Sequence, residues 1–110
     1  MLISQWIDKL TGQQRMVEDL TKKIVARCEP AVWSRVRATA ETMDPAQSRG
    51  YIRARASDIV SREVDSVVQT LEESTESLVD RVTRSVSDTL VRKMMATLAT
   101  QHPSALRRAA

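Results

Sequence analysis

Cysteine and histidine are the side chains best suited to nucleophilic and metal chemistry, and this chain has one of each, Cys28 and His102. A thiolate nucleophile needs a base within hydrogen-bond reach, and a zinc site needs several such ligands. Cys28 falls on the apolar side of an amphipathic stretch, and His102 precedes Pro103 close to the end of the sequence. They read as a buried structural thiol and a solvated imidazole. Glu72, Glu73, Glu76 and Asp80 are dense enough to suggest a carboxylate metal centre. Helical di-metal sites, however, pair inward-facing acids with histidines at helical spacing. These acids have no such histidine and lie off the apolar positions, so they read as a solvated face. GYIRAR, with its lone glycine, is no phosphate-binding loop. The sequence predicts no catalytic residues, no metal and no cofactor.

Arginines offer a different chemistry. Arg49 and Arg53 are four apart and share a helix face, Arg55 follows, and Tyr51 between them has a ring on which a base can stack. That is a candidate nucleic-acid contact. Against it, the net charge is only +3, and acidic residues dominate from Asp58 to Asp80, where they would repel phosphates. The alternative is an ionic seam with the acidic ridge, Glu72, Glu76 and Asp80, on a neighbouring helix.

These residues must be positioned by helices. The chain has 110 residues, 42% of them hydrophobic, with two Gly, three Pro, no Phe, two Trp and one Tyr. A core of Val, Leu, Ile, Met and Ala with so few turn formers favours an all-α fold over sheets. Ile3, Trp6, Ile7, Leu10, Val17, Leu20, Ile24 and Cys28 recur at three- and four-residue spacing, which predicts a helix over residues 2–28. Gly12 is its weak point, and a continuous helix through it is expected. Pro30 should end that helix and open a second over 30–42, because the residue before proline is pushed out of helical geometry. Asp44-Pro45-Ala46-Gln47 carries a capping residue, a first-turn proline and a possible capping-box partner, so a third helix should start there.

From Tyr51 to Gln101 no glycine or proline interrupts the chain. Eleven-residue blocks starting at Ser61, Glu72 and Thr83 align Val64 with Thr75 and Val86, Val67 with Leu78 and Thr89, Val68 with Val79 and Leu90, and Leu71 with Val82. Eleven residues in three turns keeps a stripe on one side of a helix with slight right-handed drift. The expectation is one long helix over 45–101, followed by a frayed tail over 102–110. A fold-back at the apolar-free residues 72–77 is its alternative. Such a rod would measure about 80 Å, too long for the two shorter helices to cover. Its density of Val, Thr and Ser makes it a poor helix unless it is packed.

The predicted architecture is therefore a helical bundle or coiled coil whose stripe, Val64, Val67, Val68, Leu71, Leu78, Val79, Val82, Val86 and Leu90, meets another chain. Glu72, Glu76 and Asp80 form a like-charged ridge, of which Glu72 and Glu76 would sit opposite Arg92 and Arg84 in an antiparallel homodimer crossing near Arg81, whereas a parallel pair would set acid against acid. The functional expectation is a non-enzymatic interaction protein, a scaffold, adaptor or regulatory subunit. A nucleic-acid-associated protein using its basic ends is one alternative. A membrane-surface helix formed by Leu2, Ile3, Trp6, Ile7 and Leu10 is another, though the polar side of that stretch lacks the usual cationic residues. A single cysteine, no secretory-type leader in MLISQWIDKL and no run of about 18 apolar residues make the cytoplasm the expected location.

Overall fold

The computed structural model describes residues 2–71 and 76–101, with side chains from residue 12 onward. It contains three helices, α1 (Leu2–Ala40), α2 (Pro45–Val68) and α3 (Glu76–Gln101). Each packs against the other two. Among the described residues there is no strand.

Two boundaries differ from expectation. α1 runs through Pro30 rather than ending before it. A proline inside a helix removes one backbone bond and costs about 3 kcal/mol. Here the loss falls on the exposed side, while Ile24, Cys28, Val32 and Val36 on the other side are fully buried. The buried positions keep their spacing across the proline, so packing holds the helix through it. The second difference is larger. The expected helix over 45–101 is divided, with α2 ending at Val68 and α3 starting at Glu76. The fold-back alternative is the one the structure adopts, and the long helix is the N-terminal one.

The same physics that made the rod a poor autonomous helix explains its division. A segment rich in β-branched and hydroxyl residues needs a packed neighbour. Folding α3 back supplies that neighbour from within the chain. At the end of α2, Thr70 N–H and Leu71 N–H bond three residues back to the Val67 and Val68 carbonyls, and the Thr70 hydroxyl donates to Val67 O at 2.6 Å. These bonds tighten the last turn, as helix ends commonly do. Residues 72–75, where the polar break was expected, lie outside the described residues, as do His102 and the expected tail.

At the other turn, Asp44 has extended backbone (φ −70°, ψ 164°) and its carboxylate accepts the Gln47 N–H at 2.8 Å. Pro45 occupies the first turn. The buried Ser48 hydroxyl donates back to the Ala40 carbonyl at 2.9 Å, satisfying an acceptor at the end of α1. Sequence and structure agree closely at this turn.

Burial follows one simple rule in all three helices. The ridge of α1 is Leu20, Ile24, Cys28, Val32, Val36 and Ala40; that of α2 is Ser48, Ile52, Ala56, Val60, Val64 and Val68. On α3 it is Leu78, Val82, Val86, Leu90, Met94 and Leu98. Every step is four residues, one of the ridge families through which helices interdigitate. A four-residue step advances about 40° around a helix of 3.6 residues per turn. Such a ridge winds, and it is satisfied when each helix turns first toward one neighbour and then toward the other. The eleven-residue columns are less regular: Thr89 and Val79 are only half-buried, and Thr75 lies outside the described residues.

Candidate interaction surface

The helix directions follow from their polar cross-links. Ala40 meets Ser48 and Arg27 meets Glu63 at 3.8 Å, so α1 and α2 are antiparallel. Arg53 meets Asp88 at 2.8 Å across α2 and α3. Thr21 meets Ser85 and Glu29 meets Lys93 at 3.6 Å, so α1 and α3 run parallel. Parallel neighbours separated by α2 in the chain need no turn between them, and their seam is the more open one.

Three adjoining depressions, of about 780, 530 and 350 Å³, follow the α1–α3 side. The first two share Ser85, Thr89 and Arg92, and the second and third share Ala26 and Glu29. Together they make a groove from Glu76 to Thr97. Val17, Thr21 and Val25 form its floor on α1, and Trp33 lines its far end. Thr21 Oγ1 donates to Val17 O at 2.6 Å and lies 2.9 Å from Ser85 Oγ. Since threonine has one hydroxyl proton, the Ser85 hydroxyl supplies the proton of the second bond.

The rim is charged. Glu76, Asp80, Arg84, Asp88 and Arg92 follow one another at four-residue steps along exposed α3. The sequence-predicted seam is therefore a single ridge along this groove, apart from Glu72, which lies outside the described residues. Asp88 is engaged by Arg53, whereas Glu76, Asp80, Arg84 and Arg92 make no ion pair among the described residues. The predicted apolar interface is placed elsewhere. Val64, Val67, Val68, Leu78, Val82, Val86 and Leu90 are buried by the chain's own helices, with Leu71 and Val79 half-buried against the same core.

The arginine cluster lies on exposed α2. Arg53 is spent on Asp88 of α3, a residue outside the acidic ridge of Glu72, Glu76 and Asp80. The Arg55 guanidinium lies 5.5 Å from the Tyr51 ring centroid, a cation–π distance that occupies the ring proposed for base stacking. Cys28 is fully buried. Burial first, and then the Glu63 charge, push its thiol from 9.0 up to about 11, which makes it a poor nucleophile at neutral pH. Among the described residues no group of three His, Cys, Asp or Glu side chains is placed to hold a metal ion. No described helix is long and apolar enough to cross a membrane.

Sequence reasoning missed the groove itself and the cross-links Arg27–Glu63 and Glu29–Lys93. The signal was present in the four-residue steps of α1, which continue through Pro30 and therefore extend the face available to α3. Comparison of the chain with models of protein families, with curated proteins and with solved structures finds no match.

Proposed function

We propose that this chain is a non-enzymatic helical interaction protein, a scaffold, adaptor or regulatory subunit, that works by docking helices and by associating with itself. The observation that carries this reading is the α1–α3 groove, with its apolar floor and a rim whose Glu76, Asp80, Arg84 and Arg92 are unpaired within the described chain. A groove of that form accepts an amphipathic helix, with apolar anchors for affinity and charge order for orientation. The order along α3, acidic at its start and basic further on, favours an antiparallel over a parallel arrangement of two copies.

Mass by light scattering at tens of micromolar protein tests the self-association. Single Glu76→Cys and Arg84→Cys variants, mixed and oxidised, test the orientation. Crosslinks joining 76 to 84 are expected, and 76-to-76 links dominating would sink the antiparallel arrangement.

A further inference from the structure

α1 and α2 are pinned to each other at two points along their shared seam. Near the turn the Ser48 hydroxyl donates to the Ala40 carbonyl at 2.9 Å, and further along Arg27 meets Glu63 at 3.8 Å. Between these points the buried ridges pass each other in the antiparallel register that Ala40 and Ser48 set: Val36 with Ile52, Val32 with Ala56, and Cys28 with Val60. Residues one position before each ridge share one outer side of the helix pair. On α1 these are Arg27, Ala31, Arg35 and Thr39, and on α2 they are Glu63, Ile59, Arg55 and Tyr51. The α1–α3 groove uses the other side of α1, one position after the ridge, at Val25, Glu29 and Trp33.

Two four-residue steps from the Arg27–Glu63 pair, toward the turn, the same register sets Arg35 opposite Arg55. Axes of helices packed through such ridges lie about 8–10 Å apart, a gap that two arginine side chains span together. Both arginines are exposed, and neither makes an ion pair among the described residues. Arg55 lies 5.5 Å from the Tyr51 ring centroid, a contact that fixes its position without neutralising its charge. The acids nearby are committed or turned away. Glu63 is held by Arg27 and Glu41 by Arg37, while Asp58 belongs to the far side of α2, two positions before the buried Val60. One end of the seam therefore pairs opposite charges and the other opposes like ones. Proteins tolerate such a breach of local consistency at functional positions.

We propose that Arg35 and Arg55 hold one phosphate-class oxyanion between them across the α1–α2 seam, either inorganic phosphate or a phosphomonoester. Each guanidinium offers a planar fork of N–H donors to two oxygens of one anion. A phosphomonoester carries about −1.5 to −2 charges at neutral pH, close to the sum of two arginines, whereas a carboxylate would balance only one. The next positions along the seam are Ala31 with Ile59 on one side and Thr39 with Tyr51 on the other, none of them cationic. The site thus fits a single phosphoryl group rather than the row of phosphates on a nucleic-acid strand. Half-buried Ile59 and Tyr51 give an apolar shoulder to whatever bears the phosphoryl group. This site is separate from the α1–α3 groove and needs no second copy.

The test is the thermal midpoint of the full chain at neutral pH, in sodium phosphate and in sodium chloride of matched ionic strength. Wild type is compared with Arg35→Gln, Arg55→Gln and, as a control, Arg62→Gln, an exposed arginine without an ion pair on the far side of α2. Phosphate should raise the midpoints of wild type and Arg62→Gln by about 2–5 °C more than those of the two seam variants. An equal rise in all four proteins is the general effect of an excluded salt and overturns the site. Arg35→Glu checks the juxtaposition without any ligand. It should repeat the Arg27–Glu63 pairing, raise the midpoint in chloride and abolish the phosphate response. A gain from Arg35→Glu that persists in an Arg55→Gln background shows that the two positions do not face each other and overturns the proposal. Phenyl phosphate separates the two sources of the anion: a shift equal to that from inorganic phosphate, or larger, assigns the site to a phosphomonoester, and no shift assigns it to free phosphate. A short single-stranded oligonucleotide whose binding falls as much with Arg49→Gln as with Arg35→Gln would mark a surface that tracks a strand, and would overturn the single-anion site.

Discussion

The two ends of α1 are made of the same helix and behave as different materials. At its C-terminal end Ala40 is buried, its carbonyl takes the Ser48 hydroxyl, and α2 returns directly along it behind the Asp44 cap. At its N-terminal end the collar from Gly12 to Met16 is exposed on every side. The difference lies in the spacing of apolar residues. Four-residue steps produce a winding ridge that two neighbours share, and the chain supplies both neighbours. At residues 12–16 the described helices supply no such neighbour. Local propensity does not distinguish the ends; the available partner does.

The most severe way to probe that contrast is to delete equal side chains at each end. Ile24 is fully buried in the body, so Ile24→Ala should lower the unfolding free energy by about 2–5 kcal/mol in urea denaturation. Met16→Ala on the same helix, at an exposed position, should leave the unfolding free energy nearly unchanged. Equal losses at both positions would show that the collar packs within its own chain.

Much of this fold was readable from residues alone. The Asp44-Pro45 start and the all-helical class followed from local chemistry, because caps and periodicity act over a few residues. Pro30 was misread because the rule that proline ends helices is local, while the burial of Cys28 and Val32 on the opposite side is not. The break after Val68 was visible only as an alternative, since a polar stretch without glycine or proline is compatible with either state. The candidate site was half legible. Glu76, Asp80, Arg84 and Arg92 were recognised as one set, but their groove depends on α3 folding back beside α1, which no spacing within α3 reveals. Val64, Val86 and Leu90 were read as facing another chain because the sequence does not say whose helix covers a stripe.

Cys28 offers a gentler probe of the packed end, through pH. Its folded-state pKa of about 11 lies above the ordinary 9.0, so the folded chain holds the thiol proton more tightly than the unfolded one. Below about pH 9 both states are protonated and the thiol adds no slope. Between 9 and 11 the unfolded chain has released the proton and the folded chain has not, so stability falls as pH rises, levelling off above about 11. Wild type should therefore lose stability relative to Cys28→Ala across that window, measured by denaturant midpoints at matched pH. Parallel curves for the two proteins would mean that the body does not hold the thiol dry.

The smallest expected effect separates the ends most cleanly. Gly12 and Gly50 both lie inside helices, neither has a positive φ, and an added Cβ meets nothing within 4 Å at either. Alanine in place of glycine should favour the helical state at each by about 0.5–1 kcal/mol, through backbone entropy. Gly50 belongs to α2, whose ridge is locked into the core, so Gly50→Ala should raise the thermal midpoint of the whole body by a few degrees. Gly12 belongs to the bare collar, where helix can melt without opening the core. Gly12→Ala should therefore increase helix content by circular dichroism in dilute protein while leaving the main midpoint in place. A Gly12→Ala midpoint that rises in step with Gly50→Ala in dilute protein would show that both ends of α1 unfold as one unit, and the contrast between them would then be one of exposure without independence.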